Sequence, residues 1–461
     1  MKLRLTPLPV VLALSLCSNL MHAQENSSET TAAQVVPAPA PAQTTETNAA
    51  KLYEIEHPGG RSIEDLNLRG AYISLPPFSD SLFGEANPVR QALARHGMAV
   101  QHFGDTTFTY NTTSPPVPLD EQTYNGQRPT WKTSHYLMGS WDLRQLGVRG
   151  GQFYMIGSLQ NISWNPGGPN AHQFSAIAYY QSLFHDKLEL KGGYLTNDFE
   201  FVGTAIGGQA SSGSLGVFAS LPIELGMSYT PLSAPGFNFN LHLPKHFYTK
   251  VGFQRSIDPK GGVAEANRNA LGLRFAPKGD NMLGIYEGGY KQAADQNHKQ
   301  TWVRAGYFHN ETQFSNLRTG KTSTNYMYYV LADRQLLKVD PAKPYRGLYA
   351  GFTQMYAPPD RNSYTQYYEA RVYMIGPFAK HPNDLVSVVA SHTAYSEFTK
   401  AADRALGQSV WNNASSITGS YNARLYRGLY FSPGLSYTHG PAITPRAKSS
   451  LNVLAQFNIF F

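Results

Sequence analysis

The chain has 461 residues and a formal net charge of +7, with 15% charged and 13% aromatic residues. Its 38 Lys and Arg residues are spread without a basic run, which argues against nucleic-acid binding. Beyond the N-terminus, no stretch reaches the ~18 apolar residues of a spanning helix, so a helical membrane bundle is excluded. The abundance of Tyr, Phe and Gly is typical of a β protein with many turns.

Residues 1–23 predict a cleaved secretory signal peptide. A basic start precedes a short apolar run, Leu8–Leu16, and we expect cleavage after Ala23. The only cysteine, Cys17, lies within this leader, where lipidation is the alternative interpretation. After cleavage, we expect no disulfide and no thiolate metal site in the mature protein.

Two further regions precede the repeating part of the chain. Residues 24–50 are rich in Ser, Thr, Gln, Ala and Pro, which predicts a disordered or polyproline-like linker. Residues 51–97 predict a short N-terminal periplasmic segment with one helix. Asn87 caps this helix, Pro88 is its first residue and Gly97 ends it. The helix is expected inside the barrel described next, beneath it, or as a plain surface helix.

Residues 98–461 contain sixteen strand-like runs separated by turn signals, and no long helical pattern interrupts them. The last run, Ser449–Phe461, alternates apolar odd positions with polar even positions and stops on an aromatic residue. This pattern favours an outer-membrane barrel over the closing strand of a soluble sandwich. The predicted fold is all-β, a transmembrane antiparallel β-barrel of about sixteen strands. The predicted strands are 98–112, 130–146, 152–161, 173–184, 187–196, 236–244, 246–256, 282–291, 301–310, 324–336, 347–357, 364–376, 384–396, 411–426, 429–439 and 449–461.

Connection lengths support this count. The tight turns at 185–186, 245 and 427–428 fall on one side of the barrel, and the longest loop, 197–235, falls on the other. The strand-like run 269–275 would break this alternation, so we assign it to a loop.

The loop 197–235 is the candidate constriction of the barrel. It carries Asp198 and Glu200 before a Gly- and Ser-rich stretch, which lets a backbone fold closely against a wall. Folding into the lumen is the prediction, because loops of this length are usually functional. An external flap is the alternative.

Alternation also assigns side chains to the lumen. The inward set mixes charges, amides and aromatics, which suits a neutral sugar, because hydroxyls need both donors and acceptors and sugar rings lie on flat aromatic faces. The alternative is that these charges only pair with one another and hydrate the lumen. We expect Ala at Arg304 or Arg371 to change sugar preference and to leave assembly intact. With the two loop acids, the candidate pore-lining residues are Lys250, Arg304, Glu369, Arg371, Arg424, Glu287, Trp302 and Tyr248.

No motif for catalysis, cofactors or metals is evident. Gly320–Thr322 lacks the context of a phosphate-binding loop, and neither G-x-S-x-G nor H-E-x-x-H occurs. The 14 His residues lack metal-ligand spacing. We therefore predict no enzyme, no cofactor and no metal, with an outer-membrane hydrolase as the remaining catalytic alternative.

Several stretches between about 124 and 461 form one series, namely Gly150–Phe153, Ser158–Asn161, Gly284–Tyr290, Val303–His309, Tyr356–Asn362, Gly376–Pro377 and Asn383–Asp384. In their order and spacing they resemble the OprB type of carbohydrate-selective porin. The resemblance implies a sixteen-stranded outer-membrane channel for diffusion of glucose and similar sugars. The Gly-Asp-Trp-Gly-Gly stretch of that family is missing before the helix.

The expected function is passive diffusion of small neutral carbohydrates through the outer membrane of a Gram-negative cell. A general or exopolysaccharide-linked channel and a purely structural barrel or adhesin are alternatives. The expected partners are small neutral sugars, outer-membrane lipid and lipopolysaccharide, and the barrel-assembly machinery, with a homotrimer as a possible assembly. The terminal Phe461 is expected to serve as an assembly signal.

Overall fold

The computed structural model describes residues 63–70, 76–164, 170–202, 220–444 and 446–461. The predicted leader and linker lie outside these residues, as does the Gly-rich part of the longest loop. Within the described ranges, no helix is long and apolar enough to cross a membrane.

Sixteen antiparallel strands form one closed barrel in which each strand pairs with its neighbours in sequence. The barrel closes between β1 and β16, where Phe103 lies opposite Phe460. All sixteen predicted strands are present. The strands are β1 Met98–Asn111, β2 Thr130–Asp142, β3 Gly151–Ile162, β4 Ala171–Leu183, β5 Leu188–Leu195, β6 Ala234–His242, β7 Phe247–Arg255, β8 Met282–Gln292, β9 Thr301–Ser315, β10 Thr322–Lys338, β11 Gly347–Tyr356, β12 Tyr364–Ile375, β13 Leu385–Tyr395, β14 Asn413–Tyr426, β15 Leu429–His439 and β16 Ser450–Phe460.

Strand ends differ from the prediction where side chains redirect the backbone. β2 stops at Asp142 instead of continuing to 146, because the Asp142 side chain accepts from Arg144 N–H and starts a 3-10 helix, Leu143–Leu146. β9 extends beyond the predicted 310 to Ser315. There the Asn316 side chain accepts backbone N–H groups of the turn and closes a longer hairpin.

The two faces of the barrel follow the predicted alternation. In β16 the odd residues Leu451, Val453 and Phe457 are exposed, whereas Asn452 and Asn458 are buried on the inner face. An apolar outer band around a polar interior is typical of barrels that span an outer membrane. In contrast to a soluble sandwich, the closed sheet leaves no free edge.

Within the described ranges, four α-helices lie outside the sheet: α1 Pro88–Arg95, α2 Ser220–Glu224, α3 Gly262–Arg268 and α4 Glu397–Ala405. The strand-like run 269–275 forms no strand, as its assignment to a loop requires. Glu265 of α3 instead accepts a hydrogen bond from the Asn269 side chain at 3.0 Å, which holds the start of this run against the helix.

The described part of the N-terminal segment lies against inward-facing side chains at the short-turn end of the barrel. Ser140 of β2 donates to Leu66 O at 2.5 Å, and Gln101 of β1 donates to Pro76 O at 3.1 Å. Asn87 caps α1 by accepting two backbone N–H groups. The segment therefore lines one mouth of the barrel and narrows it.

Candidate functional site in the barrel lumen

A glycine lets two large charged side chains meet across a strand of the inner face. Asp333 of β10 lies opposite Gly351 of β11, which lies opposite Arg371 of β12. A Cβ at Gly351 would lie 2.2 Å from an Asp333 carboxylate oxygen, so only glycine leaves room for the pair. Arg371 reaches over it and donates two hydrogen bonds to Asp333, at 2.9 and 2.5 Å.

Arg371 is the centre of a wider buried network. It also donates to Glu369 at 2.8 Å and to Thr353 at 2.8 Å. Tyr367 OH donates to the other Glu369 oxygen at 2.5 Å. The Arg371 side chain is 0% exposed and that of Glu369 is 3% exposed. Neither side chain is exposed to a passing solute in this arrangement, and the effect of Arg371 on sugar preference stays a prediction.

A second network on the inner face also forms across a glycine. Glu287 of β8 lies opposite Gly306 of β9, which lies opposite Tyr329 of β10. Tyr329 OH donates to Glu287 at 2.8 Å across this glycine, and Tyr248 OH donates to the same carboxylate at 2.9 Å. Glu287 and Tyr248 thus face inward as predicted, but both are buried.

Trp302 does not offer a free face for a sugar ring. Lys291 Nζ lies 4.6 Å from its ring centroid and the Arg304 guanidinium lies 4.0 Å from it. The indole N–H donates to Tyr248 OH at 3.0 Å. Because two cations cover the indole, the predicted stacking of a sugar on Trp302 finds no support in this geometry.

The described ends of the longest loop fold into the lumen, as predicted. Arg304 donates to Val202 O at 2.9 Å and is 1% exposed, so the loop covers this predicted pore residue. Phe201 and Leu225 pack into an apolar cluster with the inward-facing Ile285. This apolar inner patch explains why the alternation in β8 is ambiguous from sequence.

The base of the loop meets the N-terminal segment at Lys191 of β5. Lys191 forms an ion pair with Glu200 and donates to Gly70 O at 3.0 Å. Asp198 accepts a hydrogen bond from Thr230 N–H at 3.1 Å, which joins the two ends of this loop. Lys250 donates to Glu200 O at 3.1 Å. The two predicted loop acids therefore organise the constriction.

Arg424 faces inward but binds the N-terminal segment. Its guanidinium donates to Asp80 at 2.9 and 2.5 Å, and Tyr430 OH donates to the same carboxylate. Arg424 remains about one third exposed, at 36% of its side chain. It therefore anchors the N-terminal segment at the mouth of the lumen.

A polar row crosses four strands at one level of the inner face. We define it as Glu189 of β5, Asn240 of β6, Lys250 of β7 and Glu287 of β8, which lie successively opposite one another. Asn240 donates to Glu189 at 2.6 Å. All but Glu287 are partly exposed. At ~4.8 Å between strands, the row spans about 14 Å across the inner face.

Sequence reasoning missed Glu189, Lys191, Lys291 and Asp333. The sequence does indicate that Glu189 and Lys191 face inward, because they alternate with Leu188 and Leu190, which face outward. The partnership of Asp333 with Arg371 had no such signal, because it depends on the register of two strand pairs. Within the described ranges, no group of three or more His, Cys, Asp or Glu residues is placed to hold a metal.

The family of the chain follows from a comparison with protein-family models. The model described as carbohydrate-selective porin, OprB family, matches residues 141–454, well over half of the chain. The chain belongs to the OprB family. Family membership and the sixteen-stranded barrel make it an outer-membrane porin for carbohydrates, and porins are channels rather than enzymes.

Two solved structures of Pseudomonas putida OprB are similar to this OprB-family chain. The high-pH structure has a TM-score of 0.69 at 14% identity, covering 83% of this chain and 98% of that one. The low-pH structure has a TM-score of 0.52 at 12% identity, covering 83% and 99%. At these identities the likeness supports the fold alone. A comparison with curated proteins found no significant match.

Proposed function

We propose that this porin selects small neutral sugars and polyols through the polar row. The carrying observation is that Glu189, Asn240 and Lys250 present acceptors and donors side by side and are partly exposed to the lumen. Sugar hydroxyls both donate and accept, so they can exchange water for these groups at little cost. Arg304, Arg371 and Trp302 act through the loop and the wall instead.

The folded loop and the N-terminal segment bring a solute close to this row. Glu200 of the loop and Gly70 of the N-terminal segment share Lys191, which lies two residues from Glu189. A sixteen-stranded barrel without such segments leaves a wide aqueous channel. The narrowing therefore supports selection of small sugars over the general or exopolysaccharide-linked channel.

Liposome swelling tests this function. We expect faster swelling with glucose or glycerol than in protein-free liposomes, and a steep decline from mono- to trisaccharides. Asn240→Leu should slow the uptake of glucose more than that of glycerol, because only the larger solute depends on hydrogen bonds with the polar row. Phe239→Leu, on the outer face beside it, is the matched control. Swelling no faster than in empty liposomes contradicts the proposal, and a flat size series favours a general channel.

Sugar acids are a second candidate class of solute. Lys291 faces the lumen, is exposed, and lies near Lys250 and Arg304. This cationic side of the row favours a carboxylate on the sugar. Reversal potentials in a potassium gluconate gradient should indicate a preference for anions. Lys291→Met should reduce this preference, whereas the control Lys299→Met, in a short turn, should not. Equal potentials in both variants contradict this candidate.

Export and assembly complete the proposed function. Residues 1–23 direct secretion and are removed, residues 24–50 form the linker, and the barrel-assembly machinery inserts 98–461. The mass of the protein purified from outer membranes tests cleavage. A mature N-terminus at residue 24 supports it, and retention of Met1 contradicts it.

A further inference from the structure

A polar cavity lies outside the lumen, between the loops that follow β13 and β15. Most of its lining residues carry charge, hydrogen-bonding groups or aromatic rings, among them Arg404, Gln408, Trp411, Asn413, His439 and Arg446. These loops lie at the end with the longer connections, which is extracellular in this class of barrel.

The cavity is built by contacts between the two loops. Trp411 N–H donates to Ile443 O at 2.9 Å, and its indole N–H donates to Ala447 O at 2.7 Å. The Arg446 guanidinium lies 4.8 Å from the Trp411 ring centroid, and the His439 ring lies 4.3 Å from it. The aromatic platform and one cation are thus positioned before any ligand binds.

The cavity opens toward the lipid-facing side of the barrel. Ile417 of β14 and Tyr437 of β15 are exposed on the outer face, at 52% and 49%. The same alternation continues to Asn413 in β14 and to His439 in β15, both of which line the cavity. The cavity therefore lies at the extracellular edge of the apolar band, where lipid headgroups are found.

Cations dominate the mouth of the cavity. Arg404 and Arg446 are exposed, and within the described ranges neither forms an ion pair. Lys400 lies one turn before Arg404 on α4 and donates to Asn412 at 3.4 Å. The acids of this helix are Glu397 and Asp403, and neither lines the cavity.

We propose that this cavity binds a phosphate group of an outer-leaflet lipid, of the kind that lipopolysaccharide carries, with Arg404 and Arg446 as its ligands. Planar guanidinium groups donate paired hydrogen bonds to phosphate oxygens. Trp411 and His439 have the amphipathic rings that suit the interface between lipid and water. Gln408 and Asn413 offer amide groups to the sugar hydroxyls beside the phosphate.

Binding of fluorescent bisphosphorylated lipid A to detergent-solubilised protein tests the proposal. Arg404→Gln with Arg446→Gln should weaken binding at least about tenfold, since a charge-assisted hydrogen bond is worth about one factor of ten. The matched control replaces the exposed extracellular-loop arginines Arg274 and Arg318 with Gln and should bind like the wild type. Heat-modifiable gel mobility checks that each variant folds.

Two further probes identify the source of the phosphate. Dephosphorylated lipid A should bind wild type about tenfold more weakly, and inorganic phosphate should compete only at concentrations far above that of lipid A. Three results would overturn the proposal: equal affinity of the double variant and wild type, equal affinity for dephosphorylated lipid A, or binding of inorganic phosphate without binding of lipid A.

Discussion

Replacing Arg371 with Met tests whether the network around it is structural. Its guanidinium makes four hydrogen bonds, to Asp333 at 2.9 and 2.5 Å and to Glu369 and Thr353 at 2.8 Å. Met keeps much of the side-chain volume but leaves two carboxylates buried without their cation. Removing one partner of a buried ion pair costs about 3–5 kcal/mol, so we expect the free energy of unfolding to fall by about that amount.

Urea-induced unfolding in lipid vesicles, followed by tryptophan fluorescence, measures this change. The matched control is Arg361→Met, because Arg361 pairs with Asp360 at 3.0 Å where their side chains are 18% and 21% exposed. A solvent-exposed pair contributes only ~0–1 kcal/mol, so this partly exposed pair should cost less than the fully buried network around Arg371. A triple variant with Asp333→Asn and Glu369→Gln should recover most of the loss, since it buries no unpaired charge.

Two results would refute this reasoning. A cost for Arg371→Met within about 1 kcal/mol of the Arg361→Met control would mean that the network contributes little. An unchanged stability with an altered ratio of glucose to glycerol uptake would support the expectation from sequence, namely that Arg371 affects sugar preference without being needed for assembly.

Three other perturbations test the lumen and the barrel closure. Asp80→Asn should loosen the N-terminal segment by about 1.5–3 kcal/mol and speed glucose uptake in swelling assays; an unchanged rate would show that the segment does not restrict the channel. Burial raises the pKa of Glu224 to about 8, against the lowering effect of hydrogen bonds from Tyr364 and Ser363. In the docked loop the Glu224 carboxyl keeps its proton up to about pH 8, whereas in the free loop it loses that proton above about pH 4.5. Docking of the loop should therefore weaken as the pH rises from about 4.5 to 8. Loop proteolysis should rise over that range and stay flat in Glu224→Gln; a flat wild-type profile is the contrary result. Deleting Phe461, whose N–H donates to His102 O at 3.0 Å, should lower outer-membrane levels without changing the sugar preference of refolded protein. Normal levels would count against an assembly role.

Strand number and side-chain orientation are predictable from this sequence because they depend on a local period of two. Leu451, Val453 and Phe457 appear on the outer face because each is two or four residues from the next. Strand ends are less predictable, because they depend on single side chains. Asp142, for example, stops β2 by accepting a backbone hydrogen bond that the alternation does not register.

The site was only partly predictable, because its residues meet through register. Arg371 and Asp333 are 38 residues apart and come together only because β11 places Gly351 between them. Alternation showed that Arg371 faces inward, but an inward direction does not distinguish a residue that contacts solute from one buried in the wall. On β8 even the inward direction is hard to predict, because the apolar inner patch that contacts Phe201 stands where polar residues would normally mark the inner face.

Lys191 shows why the narrowing of this channel depends on the segments outside the barrel. The loop comes from the extracellular end and contributes Glu200, whereas the N-terminal segment comes from the other end and contributes the carbonyl of Gly70. Both are held by one side chain of β5, two residues from Glu189 of the polar row. Loops vary more readily than the strands that carry them, because no ladder fixes their backbone. Changes in the loop or the N-terminal segment should therefore shift sugar preference while leaving the barrel register intact.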